Sequence, residues 1–254
     1  NSILTVKEEM RKFITECHNR KIRVIVDLPC CAAYDLYLTN PTIFKLDTNQ
    51  NPVIAADWTD VRLLNTGTDK QINPEVYNLY KDFINLMTSL DVDGIRATGA
   101  SMKPFIFWKN LIEETRRSNP QFLFLADASP LEKDSICEDA VFTPYNKLLE
   151  AGFDGYYGGY SELKNWKTSN DLFNKIKSDI ELSEKYSGQK RVMGDFATHD
   201  QPSPILINGP QFSKMILWLS STLPMNSYYL DGFATGDTYL YPLINKKANK
   251  TFTD

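Results

Sequence analysis

Helix-periodic and strand-like segments alternate along almost the whole of this 254-residue chain, and that alternation constrains its fold more than any single motif. Residues 4 to 20 place Val6, Met10, Phe13, Ile14 and Cys17 at three- and four-residue steps, which predicts an amphipathic helix. Ile22 to Leu28 (IRVIVDL) then forms a β-branched run without a polar stripe, as expected of a parallel strand covered on both faces, and Pro29 stops it. The unit repeats. Helix 74 to 90 leads to a strand at Gly94 to Ala97, helix 104 to 118 to Phe122 to Ala126, and helix 139 to 151 to Phe153 to Tyr157. Helix 169 to 187 precedes Arg191 to Gly194, and helix 211 to 222 precedes Asn226 to Leu230, giving six predicted strands of a parallel α/β sheet. The longer segments, 29 to 73, 98 to 103, 127 to 138 and 195 to 210, all follow strands. In (β/α) barrels the chemistry is built on loops leaving the carboxyl ends of strands, so these segments are where function is expected.

Composition narrows the function classes. Hydrophobic residues at 42% and charged residues at 24% are enough to bury a core, and 28 basic against 32 acidic side chains leave a net charge of −4. That balance removes the electrostatic basis for non-specific nucleic-acid binding. No apolar run approaches the roughly 20 residues a membrane span needs. Cys17, Cys30, Cys31 and Cys137 do not make a disulfide framework, and the adjacent pair is poorly placed to bridge to itself. The two histidines, His18 and His199, form no CxxC, HxH or HExxH spacing, so neither a metal site nor a cofactor is predicted.

Five stretches in order carry a resemblance. They are Cys17-His18 followed by the strand ending at Asp27; Trp58, Leu64-Asn65, Asn73-Pro74-Glu75-Val76 and DVDGIR at 91 to 96; FLFLADA at 122 to 128; THD at 198 to 200; and TLPMNSYYLDGFATGD at 222 to 237. Together they resemble the motifs of the α-amylase superfamily, glycoside hydrolase family 13. The resemblance implies a (β/α)8 TIM-type barrel of which this chain supplies about six β/α units, the third to the eighth strand. Residues 1 to 245 then read as one barrel domain whose first two β/α units come from a missing barrel segment or a larger parent chain, and KKANKTFTD at 246 to 254 as a polar tail.

The resemblance also assigns site positions. Asp127 falls at the acid/base, Asp200 at the carboxylate that stabilises the transition state, and Thr98 at the nucleophile; Arg96, His199 and Asp200 fall among the sugar-binding residues. A retaining glycosidase needs two carboxyl groups about 5 Å apart. Threonine at position 98 is a poor nucleophile without an adjacent base, and residues 94 to 102 contain no acid. Cys31-Ala32 stands where the family has an Asn-His pair, which removes a sugar contact and an amide ligand of its calcium site. Asp27 and Asp93 are expected to orient loops by accepting backbone N–H bonds, and Cys30 and Cys31 to be small buried residues. Arg96 also has a plain structural reading, neutralising carboxylates at the strand ends. Three functions stay open: a degenerate barrel that binds carbohydrate of α-glucan type, an active glycosidase or transglycosidase with a displaced nucleophile such as Asp195 or Asp231, and a protein-binding scaffold in a larger assembly.

Overall fold

The computed structural model describes residues 3–54, 59–128, 142–186, 191–199 and 201–238. Helix α1 (Ile3–Asn19) leads into strand β1 (Ile25–Leu28). An antiparallel pair follows, β2 (Cys31–Ala33) with β3 (Val61–Leu63), and the short helix α2 (Tyr34–Thr39) lies between them in the chain. The β/α alternation then takes over with α3 (Pro74–Ser89), β4 (Gly94–Thr98), α4 (Phe105–Ser118), β5 (Leu123–Asp127), α5 (Tyr145–Ala151), β6 (Gly155–Tyr157), α6 (Ser169–Glu184), β7 (Arg191–Gly194), α7 (Pro204–Thr222) and β8 (Asn226–Ser227).

Strands β1, β4, β5, β6, β7 and β8 are hydrogen-bonded in that order in one sheet. The registers of β1 with β4, β4 with β5, β5 with β6 and β7 with β8 are all parallel. Parallel neighbours cannot be joined by a hairpin, so each strand-to-strand connection carries a helix. This is a partial (β/α) barrel with the six strands that the sequence predicts.

The differences have local causes. Covering on both faces was expected of β1, yet Ile25 is 37% exposed, because β1 ends the sheet and pairs only with β4 among the described residues. Helix α5 starts at Tyr145 after Pro144, later than predicted, and residues 139 to 141 lie outside the described residues. The helix predicted from 211 is the second part of α7, which breaks at Asn208 and Gly209 just before Pro210. β8 stops at Ser227 rather than reaching Leu230. The tail at 246 to 254 and Trp58 also lie outside the described residues.

The chain forms two compact units, Asn1–Tyr157 with Glu181–Val192, and Gly158–Ile180 with Met193–Asp254. In the first, Asn73 caps α3 by accepting the N–H groups of Glu75 and Val76 at 3.0 and 3.4 Å, with Pro74 pre-set at the first helical position. Helices α3 and α4 bury Val76, Tyr80, Ile84, Phe107, Trp108, Leu111 and Ile112. Their aromatic rings meet edge to face, Tyr80 with Phe107 at 5.4 Å and Trp108 with Phe153 at 5.0 Å. The polar ends of this core are satisfied: Trp108 Nε1 donates to the Ala100 carbonyl at 2.9 Å, and the Tyr80 hydroxyl to that of Pro29 at 2.6 Å.

One device occurs twice in the sheet. Asp93, just before β4, accepts the Val24 N–H at 2.7 Å; Asp154, just before β6, accepts the Phe124 N–H at 2.8 Å. Each carboxylate thus ties its own strand to the start of the preceding one. Gly94 lets the backbones approach here, since a Cβ would sit 2.5 Å from the Leu123 carbonyl oxygen.

Asp93 also meets His18 Nε2 at 2.8 Å, and this hydrogen bond, with the charges of Asp93 and Asp91, raises the imidazole pKa above its ordinary 6.5. A raised histidine pKa contributes stability that is full below pH 6.5 and lost as pH rises through the folded value. Denaturant midpoints of wild type and His18→Gln should therefore differ in acid and converge in alkali. A difference that grows with pH would contradict the pairing.

In the second unit, Tyr160 is the organising side chain. Its hydroxyl donates to Asp179 at 2.6 Å, Lys175 Nζ reaches both Asp179 oxygens at 2.8 Å, and Phe196 lies against its ring at 4.9 Å.

Candidate functional site

Strand register decides which strand-end side chains meet. The β1–β4 ladder pairs Asp27 with Arg96, and the β4–β5 ladder pairs Thr98 with Asp127. Arg96 and Thr98 are two residues apart and so share a face of β4, which puts all four positions on one face at the carboxyl ends of three strands.

Arg96 is held as a fork. Its Nε and Nη2 donate to Asp27 Oδ1 and Oδ2 at 2.7 and 2.8 Å, while Nη1 stands 3.7 Å from Asp127 Oδ2. The Tyr157 ring lies 5.7 Å from the guanidinium carbon. Burial on its own would lower the arginine pKa, but the hydrogen bonds to Asp27 and the charge of Asp127 outweigh it and raise it. Arg96 thus lies between two strand-end carboxylates. Asp27 is corrected: its carboxylate receives the Arg96 fork, whereas Asp93 does accept a backbone N–H as expected.

Thr98 stands opposite Asp127 in the β4–β5 register. Behind it lies Lys103, only 2% exposed, with Nζ 3.5 Å from the carbonyl oxygens of Thr98 and Gly99 and about equally close to the Tyr80 and Trp108 rings, at 5.6 and 5.5 Å. Sequence reasoning missed this lysine; its place in a loop leaving a barrel strand was the available signal. Cys30 and Cys31 are buried as expected, with their sulfurs 3.6 Å apart. The hydrogen bond from Cys31 lowers the Cys30 pKa to about 7 against the effect of burial, aided by the Lys103 charge. That same pairing, together with burial, raises the Cys31 pKa.

The other sequence-predicted residues belong to the second unit. His199 is half-buried in the loop after β7, and Asp200 lies outside the described residues. Asp231 is exposed, whereas Asp195 is buried and its Oδ1 accepts the Tyr160 N–H at 3.1 Å. Among the described residues no three His, Cys, Asp or Glu side chains gather as a metal site.

No family model and no curated protein matches the chain. Solved structures do. An α-amylase from Lactobacillus plantarum superposes with a TM-score of 0.64 at 17% identity over 85% of this chain and 51% of its own. Eubacterium rectale Amy13B gives 0.66 at 13% identity over 91% and 53%. The α-amylase from Geobacillus thermoleovorans, complexed with acarbose, gives 0.54 at 16% over 84% and 46%. The chain therefore spans about half the length of the structures it resembles, and it shares with them the parallel (β/α) barrel fold.

Proposed function

We propose that this chain is a catalytically degenerate amylase-type barrel domain, residues 1 to 245, whose strand ends retain a carbohydrate-binding surface. The observation that carries the reading is the pairing of Thr98 with Asp127. Neighbouring strands run about 4.8 Å apart, close to the 5 to 5.5 Å that separates the two carboxyl groups of a retaining glycosidase. The register thus sets one carboxylate position and one hydroxyl position side by side on adjacent strands, where two carboxyl groups would be needed. An aspartate at 127 still accepts sugar hydroxyls, and the Arg96 fork holds a positive charge beside it. His199 and Asp200 are proposed as sugar-binding residues on the sequence resemblance alone.

Acarbose, present in the Geobacillus complex, is a sensible first ligand, followed by maltooligosaccharides in a glycan screen. Isothermal titration should show that Asp127→Asn and Asp200→Asn each weaken the best ligand. The expected loss is roughly 1.5 to 3 kcal/mol per charge-assisted bond, about 10- to 100-fold in affinity. Equal affinities in folded variants would assign these carboxylates to the scaffold. A screen with no ligand at all would favour the protein-binding scaffold instead.

A further inference from the structure

We propose that the second unit holds a binding site for a neutral oligosaccharide where the 3-10 helix Tyr160–Asn165 leads into α6. The choice of a saccharide rests on the carbohydrate-binding function proposed above, but the site uses none of the residues assigned there. A cleft of about 510 Å³ opens at this place, within the roughly 300 to 1,000 Å³ of small-molecule sites. Asn165, Trp166 and Lys167 line it from the connection, and Asp171, Asn174 and Lys175 from α6. The three α6 residues stand at three- and four-residue steps and so share one face of the helix.

The charges in this lining are already engaged. Asp171 Oδ2 accepts the N–H groups of Thr168 and Lys167 at 2.8 and 2.9 Å and the Thr168 hydroxyl at 3.2 Å, which caps α6. Lys175 Nζ lies 2.8 Å from both oxygens of the buried Asp179. The Lys167 ammonium and the Asp171 carboxylate oppose each other in sign, so the lining has no net charge to select an ion. An aromatic ring and two amides give it its character. Trp166 is half-buried, its ring edge-on to Tyr160 at 6.0 Å, and the Tyr160 hydroxyl is itself fixed on Asp179 at 2.6 Å. Asn165 donates to Glu162, whose other oxygen accepts from Gln201 Nε2 at 3.1 Å, which ties the connection to the loop carrying His199. Side chains held in this way before a ligand arrives lose little freedom when it binds. A pyranose presents C–H groups on one face and hydroxyls around its rim; an indole ring matches the first, and amides, which both donate and accept, match the second.

The test uses the full chain labelled with 5-fluorotryptophan, whose four tryptophans give separate fluorine signals, the one from position 166 being identified by its loss in Trp166→Phe. Maltoheptaose should move that signal. In isothermal titration Trp166→Ala should weaken maltoheptaose by more than about 10-fold. Asn174→Ala, at an exposed helical position where alanine favours folding, should weaken it by about 2- to 10-fold, the loss of one neutral hydrogen bond. Asp127→Asn separates this cleft from the strand ends. Weakening in Asp127→Asn with Trp166→Ala and Asn174→Ala unchanged would overturn the cleft and leave the strand-end reading standing, whereas the reverse pattern would support the cleft alone. A position-166 signal that does not move, or tighter binding of an acidic oligogalacturonate than of maltoheptaose, would also overturn the assignment.

Discussion

Asp195→Asn should make this protein more stable than wild type above neutral pH, by an amount approaching 4 kcal/mol. The carboxyl is 4% exposed, and burial pushes its pKa from 3.8 to about 7 despite the N–H groups of Tyr160, Asp195 itself and Gly159 and the charge of Lys175. The folded state therefore holds a proton that the unfolded chain releases at lower pH. Stability falls as pH rises from 3.8 to about 7, and the cost is complete above that. Three units at 1.36 kcal/mol each give the figure of about 4 kcal/mol, an upper value because some relaxation around the charge is expected. Asparagine keeps an oxygen for the Tyr160 N–H but cannot ionise. Urea denaturation at pH 4.5 and pH 8 should show wild type losing stability between the two while the variant stays nearly level. Identical pH dependence in both proteins would mean that Asp195 ionises freely. A carboxyl that is buried, half protonated near neutrality and tied to Tyr160 is also poorly disposed to attack a sugar.

The alternation of elements was legible because the longer helices carry apolar positions at helical spacing, β1 lies in a β-branched run and β5 in an apolar one. What the sequence concealed lies in segment 29 to 73 and in pairings across the sheet. Strands β2 and β3 have three residues each, too short for an alternation signal, and α2 is a six-residue helix with no buried side chain. The Arg96–Asp27 fork joins residues 69 positions apart, and only the parallel register brings them together. Lys103 was hidden by its residue type, since lysine is seldom fully buried and reads as surface in a sequence. Thr98 was visible as an anomaly through its distance from Arg96 along the strand. Its partnership with Asp127 became a geometric fact once β4 and β5 were in register.

That partnership sets the second large expectation: the wild-type chain should not turn over activated aryl α-glucosides at an enzyme-like rate, about 10 per second. A retaining mechanism divides one difficult displacement into two easier ones through a covalent glycosyl intermediate, and the divided path requires an anionic oxygen at the nucleophile position. A threonine hydroxyl is neutral at this pH. Among the described residues, Thr98 is paired in register with Asp127, whose carboxylate lies beside Arg96, and its carbonyl faces the buried Lys103 ammonium. The deficit should exceed three powers of ten, about 4 kcal/mol of barrier at 1.4 kcal/mol per decade. Thr98→Asp restores the pair of carboxyl positions on adjacent strands. Incubated with an activated fluoro-glycoside that slows hydrolysis of the intermediate, this variant should gain one glycosyl unit by mass spectrometry, on the peptide that contains position 98. Wild type should gain none. Wild-type turnover near 10 per second, or a label on a different peptide, would mean that another carboxylate performs the attack and that the barrel is an active glycosidase.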